Sequence, residues 1–209
     1  MVGTKIVIID YGMGNLGSIA NMLGKIGYQA IISSEVGDIA GAGKLILPGV
    51  GSFDEGMINL KKLGLIDVLN HKVKIEKVPI MGICLGLQLF TRQSAEGTLA
   101  GLGWVQASTV KFDFPPKRSN LKVPHMGWNT VAIRKPSLIF NGLEKEARFY
   151  FAHSYHVRCD NQDDILATTD YGYEFASAIQ TGNIIGIQFH PEKSHKYGLN
   201  ILKNYVEAF

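Results

Sequence analysis

Apolar and β-branched residues fall in short runs through the first half of the chain, with helical spacing between them. Residues 5–10 read as a buried strand, and Leu16, Ile19, Ala20, Leu23 and Ile26 then recur at helical intervals until Gly27. Strands are expected over 29–33, 44–47 and 78–83. Helices are expected over 55–70, with Met57, Leu60, Leu63 and Leu69 on one face, and over 85–93. This β-α-β-α order predicts an α/β protein whose parallel sheet is covered by helices on both faces. Beyond residue 100 the texture changes to short strands punctuated by Gly, Pro and Asn. They are expected at 111–114 and 131–134 around a Pro/Lys/Arg loop at 115–118, then at 149–153, 165–169, 175–180 and 184–189, with a closing helix at about 196–207. No repeat, low-complexity tract or boundary divides residues 1–209, so a single domain is expected.

Composition narrows the class without naming a chemistry. A chain of 209 residues, 46% hydrophobic and 19% charged, can bury a sizeable core as an ordinary soluble globular protein. A net charge of +3 with no basic run gives nucleic acid little to bind, since Lys72, Lys74 and Lys77 are interleaved with apolar residues. The first apolar stretch ends at Asp10, too soon for a signal peptide, and no stretch approaches the roughly 20 apolar residues of a membrane helix. Cys84 and Cys159 are too few for a disulfide framework. A cytoplasmic protein with reduced thiols is expected.

Three stretches carry candidate chemistry. The first, IVIIDYGMGNLGSI (6–19), runs from strand to helix through Gly12-x-Gly14-x-x-Gly17, the outline of a dinucleotide fingerprint. Glu35 stands near the acidic position such a site needs, but it lies in SSEV just past the second strand, and the second half lacks another βαβ set.

The second, VPIMGICLGLQLF (78–90), is a strand ending in Gly82-x-Cys84-x-Gly86 that turns directly into a helix, the shape of a nucleophile elbow with cysteine in place of serine. Such a turn pushes the Cys84 sulfur out of the sheet toward a helix N-terminus, which favours the thiolate, and leaves the Leu85 amide free for an oxyanion. A buried structural cysteine in a tight turn fits the same pattern. The third stretch, IIGIQFHPE (184–192), supplies a base: His190 ends a strand, and Glu192, two residues on, faces the same way in an extended segment. Nucleophile, base and orienter would then be Cys84, His190 and Glu192. Between the first two, LPGVGSF (47–53) follows another strand, and its glycines let the Val50 amide act as a second oxyanion donor.

With Cys84 in GICLGLQLF and His190 and Glu192 in QFHPEKS, the chain resembles the triad, or class I, glutamine amidotransferases. IDYGMGNLGSI, LPGVGSFDEGM, VPHMGWN (123–129) and FYFAHSYHV (149–157) further resemble the glutaminase subunits of imidazole glycerol phosphate synthases, over nearly the whole length. The resemblance implies a flavodoxin-like class I amidotransferase fold, with a central mixed, mostly parallel sheet flanked by helices and short antiparallel strands added in the second half. By similarity, Cys84 attacks the carboxamide of glutamine, His190 shuttles protons, Glu192 orients His190, and the amides of Leu85 and Val50 hold the oxyanion, the Val50 peptide turning first. Gln88, Glu96, His153, Ser154 and Tyr155, with the backbone of Gly49 and Gly51, match the glutamine pocket.

The same resemblance implies a (β/α)8-barrel cyclase as heterodimer partner, receiving ammonia directly, with Asn15, Met126, Trp128 and Lys193 facing it. The first glycine loop then faces that partner, and neither cofactor nor metal is implied. Two segments, NLGSI and KSHKYGLN, together with GLGW (101–104), resemble instead a paralogous branch that supplies ammonia to a surface-sugar synthase. A non-catalytic regulatory subunit and a dinucleotide-dependent oxidoreductase are the alternatives of other classes.

Overall fold

The computed structural model describes residues 4–114, 121–144 and 146–209; the loop expected at 115–118 lies outside them. Five strands form the parallel part of the main sheet: β1 (Ile6–Ile9), β2 (Ala30–Ser33), β3 (Lys44–Gly49), β4 (Ile80–Cys84) and β12 (Ile184–Ile187), in the order β2-β1-β3-β4-β12. Every residue of β1, β3, β4 and β12 is buried, which is why these strands read as continuous apolar runs rather than alternating ones. Antiparallel β11 (Glu174–Thr181), β10 (Ile165–Asp170) and β7 (Ala132–Ile133) extend the sheet beyond β12, and β9 (Tyr155–Cys159) bridges β11 to β5 (Ala107–Lys111). The sheet is therefore mixed and mostly parallel around its centre, as expected.

Helices cover both faces. On one, α1 (Leu16–Lys25) and α6 (His195–Ala208) set Ile19, Leu23, Ile201, Leu202 and Tyr205 against Ile6, Ile8, Ile46 and Met81. On the other, α2 (Val36–Ala40), α3 (Phe53–Lys62), α4 (Leu65–Asn70) and α5 (Leu85–Leu89) bury Ile39, Phe53, Leu60, Leu69 and Leu87 against Val7, Ile9, Leu45 and Leu47. Among the described residues no helix is long and apolar enough to cross a membrane.

Several expected elements differ. The helix expected over 55–70 breaks at Gly64, whose φ of 68° ends α3 and starts α4, and Leu63 at the break is exposed rather than on the buried face. α5 stops at Leu89, one turn after it begins, because Thr91 turns its hydroxyl back to the Gln88 carbonyl and Arg92 enters a bond with the Ala107 carbonyl. The strand expected at 111–114 sits earlier, at 107–111. The strand expected at 131–134 shrinks to the two residues of β7. Beside them, β6 (His125–Thr130) and β8 (Arg148–His153) pair as a separate antiparallel ribbon, His125 opposite His153.

Candidate active site

Three neighbouring parallel strands bring the chemistry to one edge. The register of β3 on β4 sets Gly49 beside Cys84, and β12 on β4 sets Ile187 beside Ile83. The loop holding Val50, the elbow holding Cys84 and the turn holding His190 thus all leave the carboxyl ends of adjacent strands, where ligands bind in open α/β sheets. Cys84 has φ 54° and ψ −106°, a backbone an L residue rarely adopts, and α5 begins at the next residue. Gly86 makes this turn possible: a Cβ there would lie 1.8 Å from the Leu47 carbonyl, so only glycine lets α5 rest on β3. Gly14, at φ 101°, packs closely on Pro48 and Gly49, where a Cβ would sit 3.2–3.3 Å from them, so the glycine loop of the N-terminal motif lies against the Val50 loop.

A cavity of about 190 Å³ opens over Cys84. Val50, Gly51, Leu85, Gln88, Glu96, Met126, His153, Ser154 and Tyr155 line it with the cysteine, so it gathers most of the expected substrate and oxyanion residues. Gly49 lies beneath, paired with Cys84. The carboxylate of Glu96 is tied to the start of α3, accepting the Phe53 amide at 2.8 Å. Gln88 spends its amide nitrogen on the Tyr155 carbonyl at 2.9 Å, so its oxygen is the end that accepts.

His153 is on the cavity wall, but both its ring nitrogens are engaged. The Tyr155 carbonyl can only accept, so His153 Nδ1 donates to it at 2.8 Å, and Nε2 accepts from His125 Nδ1 at 3.1 Å. The opposite end agrees: Asn129 takes the Thr130 amide on its oxygen, so its nitrogen is the donor to His125 Nε2 at 3.3 Å. Both histidines are neutral in this arrangement. Burial pushes His125 down to about 4 and His153 well below its usual range.

His190 sits behind the cysteine. Its Nδ1 meets Glu192 Oε1 at 2.9 Å, both side chains almost fully buried, which leaves Nε2 for Cys84. The pairing arises differently from the sequence expectation: residues 191–193 form a 3-10 turn, and the turn, not an extended segment, folds Glu192 back onto the ring. Burial alone would lower the His190 pKa. The Cys84 charge and hydrogen bond, with Glu192 behind, override it and raise it to about 10. Ser194 fixes this turn, donating to the His190 carbonyl at 2.6 Å and accepting the Tyr150 amide at 3.0 Å.

Of the four residues expected to face a partner, Met126 lines the cavity. Val50 and Met126, which line the cavity, and Trp128, two residues beyond Met126 on β6, are 54, 65 and 44% exposed. Asn15 and Lys193 are exposed, Lys193 with its ammonium 5.5 Å above the Tyr150 ring. Trp128 stacks on His195 at 5.4 Å. Sequence reasoning missed Ser194, His125 and Gln188, whose side-chain nitrogen lies 3.5 Å from the Cys84 sulfur. Gln188 was legible only as the polar residue in an otherwise apolar buried run.

The glutamine amidotransferase class-I family matches residues 7–208. Imidazole glycerol phosphate synthase subunit HisH 2 of Methanococcus maripaludis is 55% identical over 202 residues, 97% of this chain and 98% of that protein. The protein of the same name from Pseudomonas aeruginosa is 48% identical over the same shares. A solved glutamine amidotransferase superposes with a TM-score of 0.73 at 17% identity, over 95% of this chain and 98% of that one, a likeness of fold. Cysteine elbow, strand order and nearly full-length identity point one way: the chain belongs to the class I glutamine amidotransferases.

Proposed function

We propose that this chain is the glutaminase subunit of an imidazole glycerol phosphate synthase. It hydrolyses glutamine to glutamate and ammonia and passes the ammonia to a (β/α)8-barrel cyclase subunit in histidine biosynthesis. The observation that carries the chemistry is the chain of contacts from Cys84, which lines the cavity, to His190 and on to the buried Glu192; the pathway rests on relatives that bear the synthase name at 48–55% identity over 97% of the chain.

In this reading His190 takes the Cys84 proton at Nε2, and the sulfur attacks the carboxamide carbon of glutamine. The oxyanion falls between the Leu85 amide and, once its peptide turns, that of Val50. The C–N bond breaks as His190 returns the proton to the leaving nitrogen, giving ammonia and a glutamyl thioester. Water then attacks the thioester, its proton passing to His190, and Cys84 is released with glutamate. Glu192 holds the ring so that Nε2, not Nδ1, faces the sulfur. Gln88 and Glu96 recognise the amino-acid end. Ammonia released to bulk water at neutral pH becomes ammonium, which is no nucleophile, so a partner seated over Val50, Met126 and Trp128 would receive it directly.

The test is glutamate release by this chain mixed with the co-encoded barrel subunit, with and without the histidine-pathway ribonucleotide. Strong stimulation by that nucleotide is expected. Hydrolysis indifferent to it would move the acceptor to another synthase, and no hydrolysis with any partner would overturn the glutaminase reading.

A further inference from the structure

We infer that Gln188 is a further catalytic residue: its side-chain amide donates a hydrogen bond to the Cys84 sulfur, and Gln88, anchored on the Tyr155 carbonyl, fixes which end of that amide faces the nucleophile. The inference rests on the glutaminase reading of Cys84 and adds a residue to it.

Gln188 follows β12 and is fully buried, two residues before His190. Its Nε2 lies 3.5 Å from Cys84 Sγ, and its Oε1 lies 3.3 Å from Gln88 Nε2. The orientation of a side-chain amide follows from its partners, and here one carbonyl decides the chain. The Tyr155 carbonyl can only accept, so the Gln88 atom at 2.9 Å from it is nitrogen. The second hydrogen of that nitrogen points at Gln188, whose facing atom must accept and is therefore oxygen. The atom left to face the sulfur is then the Gln188 nitrogen. His153 clamps the same Tyr155 carbonyl through Nδ1, which keeps the anchor in place.

The donor matters because of what else faces the sulfur. The Ala152 carbonyl of β8 also lies 3.9 Å from Sγ, a weak acceptor that suits the thiol and opposes the thiolate. Tyr11, beyond the end of β1, is kept a neutral phenol by burial and the nearby Cys84 charge, and its hydroxyl has no hydrogen-bond partner among the described residues. Glu96 adds acceptor oxygens to the same cavity wall. His190 is the cationic partner, but in the transfer to the leaving nitrogen it gives its proton away. Gln188 is a donor that keeps its hydrogen throughout the cycle, holding the sulfur's charge and its direction when the imidazole is occupied elsewhere.

The test is the rate of alkylation of Cys84 by iodoacetamide, read by mass spectrometry across pH on the full chain, which needs neither glutamine nor partner. Gln188→Leu should move the midpoint of the pH profile upward and slow alkylation on its rising limb by roughly tenfold, the worth of one hydrogen bond to a charged group. Gln188→Glu, isosteric and carrying an acceptor where the donor stood, should slow it at least as much, and it decides the matter if the Leu variant does not fold. Gln88→Met should have a smaller effect of the same sign, because Gln188 stays but loses the partner that orients it. Folded Gln188 variants with an unchanged alkylation rate and pH profile would overturn the inference. Retained glutamine hydrolysis in Cys84→Ala would instead overturn the glutaminase reading, so the two failures are distinguishable.

Discussion

His190 is pulled in two directions, and the winner sets its protonation. Burial favours the neutral ring, while the sulfur of Cys84 and the carboxylate of Glu192 favour the imidazolium and hold it to about pH 10. A histidine raised in this way stabilises the fold fully below its unfolded value of about 6.5 and loses that contribution as pH rises through about 10. Replacing Cys84 by Ala removes the partner that most favours the charged form, so the His190 pKa should fall, which NMR titration of the ring would register. The same variant should lose glutamine hydrolysis and keep partner binding, measured by glutamate release and by co-purification. Tyr11 behaves differently: its buried hydroxyl lacks a partner among the described residues, so Tyr11→Phe should leave the Tm unchanged or slightly higher.

At the scale of elements, the elbow depends on α5 lying directly on β3. Gly86→Ala would drive a methyl into the Leu47 carbonyl, a backbone atom with nowhere to move, and should cost about 1–3 kcal/mol, seen as a lower urea midpoint together with lost hydrolysis. The β6–β8 ribbon presents Trp128 to solvent beside the cavity. Trp128→Ala should weaken partner docking or coupling while leaving the Tm within a few degrees, checked by titration calorimetry with the barrel subunit.

The inner strands of the parallel half, β1, β3, β4 and β12, were readable because both faces are covered, which demands unbroken runs such as IVII and IMGIC. β6 and β9 were not, because HMGWNT and YHVRC mix polar, aromatic and small residues whose partners lie far along the chain. The site shows the same division. Cys84 and His190 announced themselves by the turns around them. His125 carries no local signature, since it acts on His153, which the fold brings to it, and half of what Ser194 does, accepting the Tyr150 amide, is equally long-range.

Over the whole molecule, three buried histidines oppose the behaviour of His190. Burial lowers His125 and His156 to about 4 and His153 further. The unfolded chain therefore binds protons that the native one refuses, and stability should fall as pH drops from about 6.5 to 4, by an amount on the order of a few kcal/mol in all. Urea unfolding at stepped pH would show a midpoint that declines over this interval. His125→Asn should flatten that slope; an unchanged slope would remove the buried pair from the account.

The left-handed backbone at Cys84 has a consequence for gene history. A cysteine held at φ 54° and ψ −106° persists against a conformational penalty of about 1–3 kcal/mol, tolerable only while hydrolysis is selected. A duplicate freed from that duty would gain by drifting to glycine there, the one residue at ease in this conformation. Retired copies of such genes should therefore be recognisable by a glycine at the elbow and a higher melting temperature, with the rest of the strand intact.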